Sequence, residues 1–157
     1  MLRRLLLAPA LLASLLVAGC SLLSFDIGSG GPIAVSTLDA AEAARVISAY
    51  RVSKGQRAVT VDGRLNEAAA EQARAIARAG RLSHGDFAGR MASYDVAAAS
   101  ENLAMGSKTL SGTMAQWRES RAHNANLLKE GMTRIGLARA TTVGRGHNDY
   151  WALVLAR

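Results

Sequence analysis

The chain has 157 residues, half of them apolar and only 4% aromatic, with a formal net charge of +7. That is enough for one packed domain and too little for two, and it excludes a disordered, charge-dominated chain. The basic residues are spread singly, Arg45, Arg51, Arg90 and Arg134 among them, with no basic run interleaved with aromatics, so nucleic acid is not an expected partner. They read as a solvated surface, suited to anionic headgroups or cell-wall polymers. A single cysteine, Cys20, rules out an intrachain disulfide.

Met1-Leu2-Arg3-Arg4 is a basic head, and Leu5 to Ala18 is almost wholly apolar. That run is shorter than the about 20 residues a membrane span needs and fits an export signal. Val17-Ala18-Gly19-Cys20 looks like a bacterial lipobox, in which Cys20 is lipidated and becomes the first mature residue. The alternative is an uncleaved anchor helix, and either places the domain outside the cytoplasm against a membrane. Loss of Arg3 and Arg4 with residues 1–19 takes the formal charge from +7 to +5. Ser21, in place of the Asp that retains many such proteins at the inner membrane, favours the outer membrane, facing the periplasm. Residues 20–36, with Gly28-Ser29-Gly30-Gly31-Pro32 at their centre, read as a flexible tether of roughly 20–25 Å. The folded domain is expected over 37–157.

Ser36-Thr37-Leu38-Asp39 has the capping-box pattern. It predicts a helix with Leu38, Ala41, Ala44, Ile47 and Tyr50 on one face, stopping at Gly55. Val59 and Val61 alternate over too short a run to define a strand. Asp62 can cap a helix from Leu65 to Ala79, with Leu65, Ala68, Ala69, Gln72 and Ile76 inward and Gly80 as its stop. Ser83 and Asp86 form a further capping pair, which places His84 in the first turn of a short helix through Phe87 and Met91. Glu101 to Gly106 reads as a short strand with Glu101 at its entrance. Thr109 or Ser111 opens a helix carrying Leu110, Met114 and Trp117, and this runs on into Trp117–Leu128. Ile135 to Val143 and Tyr150 to Leu155 are strand candidates joined by a hairpin loop, Gly144-Arg145-Gly146-His147. The last strand is apolar throughout, so helices must cover both its faces. The expected fold is α+β, a three-layer α-β-α sandwich around a small, mainly antiparallel sheet.

Trp117–Leu128 holds the densest polar chemistry. As one helix it sets Glu119 and His123 four apart on one face. His84, His123 and His147, with Asp86, Glu101, Glu119 and Asp149, contain the ingredients of a two-histidine, one-carboxylate zinc site with an open position, though no local spacing ties His84 to His123. The plain alternative is that each histidine hydrogen-bonds at the end of an element. Ser120 beside His123 lacks the Gly-x-Ser-x-Gly elbow and third member of a serine hydrolase. Phosphate loops, dinucleotide fingerprints and His-Glu-x-x-His are absent from the sequence.

Taken in order, several segments are familiar: Ile47-Ser48-Ala49-Tyr50-Arg51, Asp62-Gly63-Arg64-Leu65, Leu82-Ser83-His84, Glu101-Asn102-Leu103-Ala104, the Trp-x-x-Ser-x-x-His-x-x-Asn-Leu-Leu of Trp117–Leu128, Ile135-Gly136 and Tyr150-Trp151. From about Ala44 to Leu155 the chain resembles the bacterial branch of the CAP superfamily, or SCP domain (cysteine-rich secretory proteins, antigen 5, pathogenesis-related proteins). The resemblance implies a central cleft lined by two histidines and two acids, which in several members binds a divalent metal such as zinc. The matching positions are His84, His123 and Glu101. The fourth departs from the pattern: Ser120 stands where two-acid members carry Glu, and Glu119 is one residue early, rotated by about 100° on a helix. Members bind sterols, fatty acids or other proteins, and protease activity has been proposed for some. The leading expectation is thus a lipid-anchored binding or interaction module for a small or lipidic ligand or an envelope component. A metal-dependent peptidase or esterase using His84, His123 and Glu101 as base is the alternative, and a purely structural envelope lipoprotein is a third reading. Of the three, the sequence favours the module over the enzyme, because no strong nucleophile is in view.

Overall fold

Every residue of the last strand, Asp149–Ala156, is buried, and the other elements are layered about it. The computed structural model describes residues 24–28, 31–37, 39–143 and 149–157, so Cys20, Leu38, His147 and the predicted 144–147 hairpin loop lie outside the described residues. In chain order the elements are β1 (Ser24–Gly28), β2 (Gly31–Ser36), α1 (Ala40–Ser53), β3 (Thr60–Val61), α2 (Gly63–Ala79), α3 (Phe87–Ser93), β4 (Ala99–Met105), α4 (Leu110–Glu119), α5 (Arg121–Leu127), β5 (Arg134–Thr142) and β6 (Asp149–Ala156). The strands form one sheet in the order β1-β2-β5-β6-β4, antiparallel throughout, with β3 added in parallel beside the start of β5.

Strand alternation splits β6 between two cores. Tyr150, Ala152, Val154 and Ala156 meet α2 and Met91 of α3 on one face. Trp151, Leu153 and Leu155 meet α1, Met114 and Trp117 on the other. This is the α-β-α sandwich expected from the continuous apolar run.

On the α2 face the sheet is small-sided, with Gly136, Ala138, Ala140, Ala152 and Ala156, and α2 answers with Ala68, Ala69, Ala73 and Ala77. Helix and sheet therefore approach closely. A methyl group at Gly136 would overlap the backbone of Leu65 and Asn66, neither of which can swing aside as a side chain could. Asn66 Oδ1 also accepts from the Leu137 amide at 3.0 Å, which fixes the start of α2 on β5. Gly136→Ala is expected to destabilise the domain by about 2–3 kcal/mol, the range of overpacked cores, read as a lower urea midpoint at unchanged slope.

Several local expectations are corrected. Two segments of the stretch read as tether are paired: β1 and β2 lie antiparallel, and β2 pairs with β5 from Ile33↔Thr142 to Ser36↔Arg139. The reason is Ile33 and Val35, which alternate into the α2 core in spite of the glycines and Pro32 around them. Ser36 belongs to β2 and α1 begins only at Ala40, so Ser36 is not its N-cap. Asp39 precedes α1 with helical dihedrals (φ −79°, ψ −3°) and makes no side-chain cap. The buried face of α1 is Ala40, Ala43, Ala44, Ile47 and Arg51, and Ala41 is exposed. Asp62 caps α2 as expected, accepting from the Arg64 and Leu65 amides, and Gly80 ends it in the left-handed region (φ +64°). Asp86 alone caps α3, so His84 lies in the preceding loop rather than in the helix. Arg51 and Arg90 are buried, contrary to a wholly solvated set of basic residues.

Candidate ligand cleft at the edge of the sheet

β4 ends the sheet, and its alternation divides the site. Glu101 turns toward α3 and Asn102 toward α5, where its Nδ2 donates to the His123 carbonyl at 3.0 Å. The outer carbonyls of β4 do not stay bare. Lys129 Nζ donates to Ala99 O at 3.0 Å, Asn126 Nδ2 to Glu101 O at 3.0 Å, and Trp117 Nε1 to Leu103 O at 3.1 Å. The segment from Trp117 to Lys129 thus plugs the edge with side-chain donors in place of another strand.

Trp117–Leu128 is two helices. Ser120 has extended dihedrals (φ −80°, ψ 119°), ends α4 and caps α5, its Oγ accepting from the His123 amide at 3.5 Å. The break removes the shared helical face proposed for Glu119 and His123. Glu119 is exposed at the end of α4, while His123 is half-buried on α5. Ser120 is spent on capping.

The loop before α3 carries His84. Gln72 Nε2 donates to Ser83 O at 2.5 Å and Arg90 Nη1 to His84 O at 3.4 Å, which holds the loop over β4. His84 Nδ1 lies 2.7 Å from Glu101 Oε1, and Arg90 Nη2 lies 2.5 Å from Glu101 Oε2. The Glu101 and Arg90 side chains are 1% and 7% exposed, whereas His84 is 57% exposed. A neutral His84 therefore donates from Nδ1 to the carboxylate and presents Nε2 as an acceptor. Above Glu101 opens a shallow cleft of about 300 Å³, walled by His84, Phe87, Ser100, Asn126 and Lys129. Arg90, Asn126 and Lys129 carry much of this arrangement; of these the sequence motif of Trp117–Leu128 marks Asn126 alone, as its Asn, without a role.

The sequence profile of the cysteine-rich secretory protein family, CAP, matches residues 44–155, which include every side chain of this cleft. The chain belongs to the CAP family. In fold it is similar to an outer surface protein of Borrelia burgdorferi (22% identity, TM-score 0.68, 76% of this chain and 92% of that one). It is also similar to an extracellular SCP-domain protein of Bacillus anthracis (17% identity, TM-score 0.63, 74% of this chain and 39% of that one). A third is a cysteine-rich secretory protein of Staphylococcus aureus (16% identity, TM-score 0.60, 73% of this chain and 36% of that one). The chain spans well under half of the last two proteins. No curated protein matches it in sequence.

A zinc centre needs three or four converging ligands. Among the described residues of this CAP domain no three His, Cys, Asp or Glu side chains converge in that way. Arg90 holds one oxygen of Glu101 and His84 the other, so Glu101 orients His84 instead of completing a ligand shell. The described residues therefore do not fit the two-histidine, one-carboxylate metal set.

Burial, and then the charge of nearby His84, hold the pKa of His123 below the usual histidine value. A depressed imidazole favours the neutral form in the folded state. Its contribution to stability is complete above about pH 6.5 and is lost as pH falls from there through the lower folded pKa. The melting temperature should thus fall more steeply between pH 7 and pH 5 in the native protein than in His123→Asn, measured by thermal melts across that range.

A second opening of about 470 Å³ lies between α1 and α4, with Val46, Leu110, Met114 and Ala115 as walls and Glu42 and Arg118 at the rim. The Arg118 guanidinium sits 4.5 Å from the Tyr50 ring centre, and Tyr50 Oη donates to Asn124 Oδ1 at 2.8 Å, which ties this groove to α5.

Proposed function

We propose that this CAP domain is an extracytoplasmic binding module, anchored through lipidated Cys20 at the outer membrane and facing the periplasm. Its ligand is a small molecule seated in the β4-edge cleft with an acidic group on Lys129 and a hydroxyl or amide donor of its own on His84 Nε2. The observation that carries this reading is the buried, engaged carboxylate: Glu101 is 1% exposed and each of its oxygens already accepts a hydrogen bond, from His84 and Arg90. A substrate has no direct path to it as a general base, and Ser120 is committed to a helix cap, so the cluster is suited to hold and orient. The Borrelia neighbour's description as an outer surface protein is in keeping with an extracytoplasmic location. The apolar groove between α1 and α4, with Arg118 at its mouth, supports a second reading in which an acyl chain lies there with its acidic head on the arginine.

Natively purified protein should carry or take up such ligands, read by mass spectrometry of the bound fraction and by a rise in melting temperature. Lys129→Glu should weaken a cleft ligand about tenfold, the loss of one charge-assisted hydrogen bond, and leave fatty-acid binding intact. Met114→Trp should do the reverse. A domain that stays empty against anionic and acyl ligands, or a native protein that hydrolyses peptide or ester probes, overturns the reading.

A further inference from the structure

We propose that the domain stands on the membrane on its β1 edge, which carries the cleft at the opposite corner of the sheet, away from the bilayer. This rests on the reading that Cys20 is lipidated and adds to it an orientation and a lipid-facing surface.

The two edges of the sheet differ. At β4, Lys129, Asn126 and Trp117 take the outer carbonyls of Ala99, Glu101 and Leu103. At β1, only β2 is paired, and no strand among the described residues lies on the outer side. An unpaired strand edge is a template for another chain unless something covers it.

Chain length says what covers it. β1 starts at Ser24, and residues 21–23 alone separate it from Cys20. An extended chain advances at most about 3.6 Å per residue, so the Cys20 Cα lies within about 14 Å of Ser24. Lipid on Cys20 places that residue at headgroup level. The β1 edge is then held against headgroups, whose phosphates and water satisfy its outer amides and whose presence keeps a second chain off.

The register locates the cleft. Ser24 is opposite Val35, Val35 opposite Ala140, Ala140 opposite Tyr150, and Tyr150 opposite Met105. Four strand spacings of about 4.8 Å therefore separate Ser24 from β4, and Glu101 lies four residues, about 13 Å, farther along that strand. The diagonal is about 23 Å, longer than the leash. Ligands then reach the cleft from the aqueous compartment or the cell wall, without leaving the bilayer.

The test uses full-length lipidated protein in phosphatidylethanolamine–phosphatidylglycerol vesicles. Lipidation blocks Cys20, the only native thiol. A fluorophore on Ser24→Cys, or on exposed Pro32→Cys in β2 should the first variant fold poorly, is compared with one on exposed Glu130→Cys just after α5. With an acceptor dye on lipid headgroups, transfer from the β1–β2 label should exceed that from position 130 at least about twofold, given the separation across the sheet. Equal or inverted transfer in protein shown by mass spectrometry to be lipidated overturns the orientation alone. Cross-linking between Ser24→Cys labels assigns the edge to a second copy and also overturns it. Protein without lipid on Cys20 overturns the anchor reading, and the orientation with it.

Discussion

Arg51→Ala is expected to destabilise the domain by about 4 kcal/mol, a large share of the about 5–15 kcal/mol by which domains of this size are stable. Arg51 is fully buried on α1, and among the described residues its guanidinium donates to four backbone carbonyls. Nε donates to Arg57 O at 2.8 Å, Nη1 to Leu127 O at 2.7 Å and Lys129 O at 3.1 Å, and Nη2 to Met132 O at 2.8 Å. Burial pushes its pKa down, yet a guanidinium remains charged at neutral pH. The charge sits at the C-terminal end of α5, where the helix dipole is negative. Truncation strands two buried acceptors, the carbonyls of Leu127 and Met132, each costing about 1–3 kcal/mol, and leaves a cavity. Arg51→Lys should recover only part, because an ammonium cannot reproduce the planar fork. Urea unfolding measures both. Hydrogen exchange should also quicken at Ala99–Leu103 before global unfolding, because the same turn carries Asn126 and Lys129 to the β4 edge. A midpoint within about 1 kcal/mol of the native protein would show that the carbonyls find water instead.

This residue also shows where sequence reading stops. Strands β5 and β6 and helix α2 are legible because their signals are local: an apolar run for β6, helical spacing for α2, and Asp62 and Gly80 at its ends. His84, Glu101 and His123 were picked out by family likeness, and the structure sets His84 on Glu101 with His123 close enough for its charge to be felt. What was lost depends on partners far along the chain. The acceptors of Arg51 beyond its own loop lie 76 to 81 residues away, so nothing near it announces burial. Arg90 is identified by a carboxylate on a different element. β2 was hidden because Gly, Ser and Pro dominate its surroundings, and two alternating residues, Ile33 and Val35, outweigh them once α2 offers a surface. At Ser120 an i to i+4 pattern continues through the helix break, so periodicity alone cannot see the change of direction. The consequence for function is specific. Glu119 is excluded from the cleft, and Arg90 pairs with Glu101 from behind it, so the acid of the site gains a permanent cation as partner.

Glu101→Gln tests what that cation does. Arg90 is left with its charge buried and no anion, while its Nε already lacks a hydrogen-bond partner. Removing one member of a buried pair costs about 3–5 kcal/mol. The variant should therefore unfold at markedly lower urea. His84→Ala should lose no more than about 1 kcal/mol, since that side chain is mostly solvated and its half of the contact is screened. Replacing both buried partners with apolar residues, Glu101→Leu with Arg90→Met, should regain most of the stability lost in Glu101→Gln, because neither charge then remains uncompensated. It should not regain ligand binding, because His84 loses the carboxylate that fixes its ring. A Glu101→Gln protein with native stability but no binding would instead mean that Glu101 acts directly on the ligand and that Arg90 is held by other contacts. Separating the two outcomes takes one denaturation curve and one binding isotherm per variant. The double variant keeps the test decisive even where the single one unfolds.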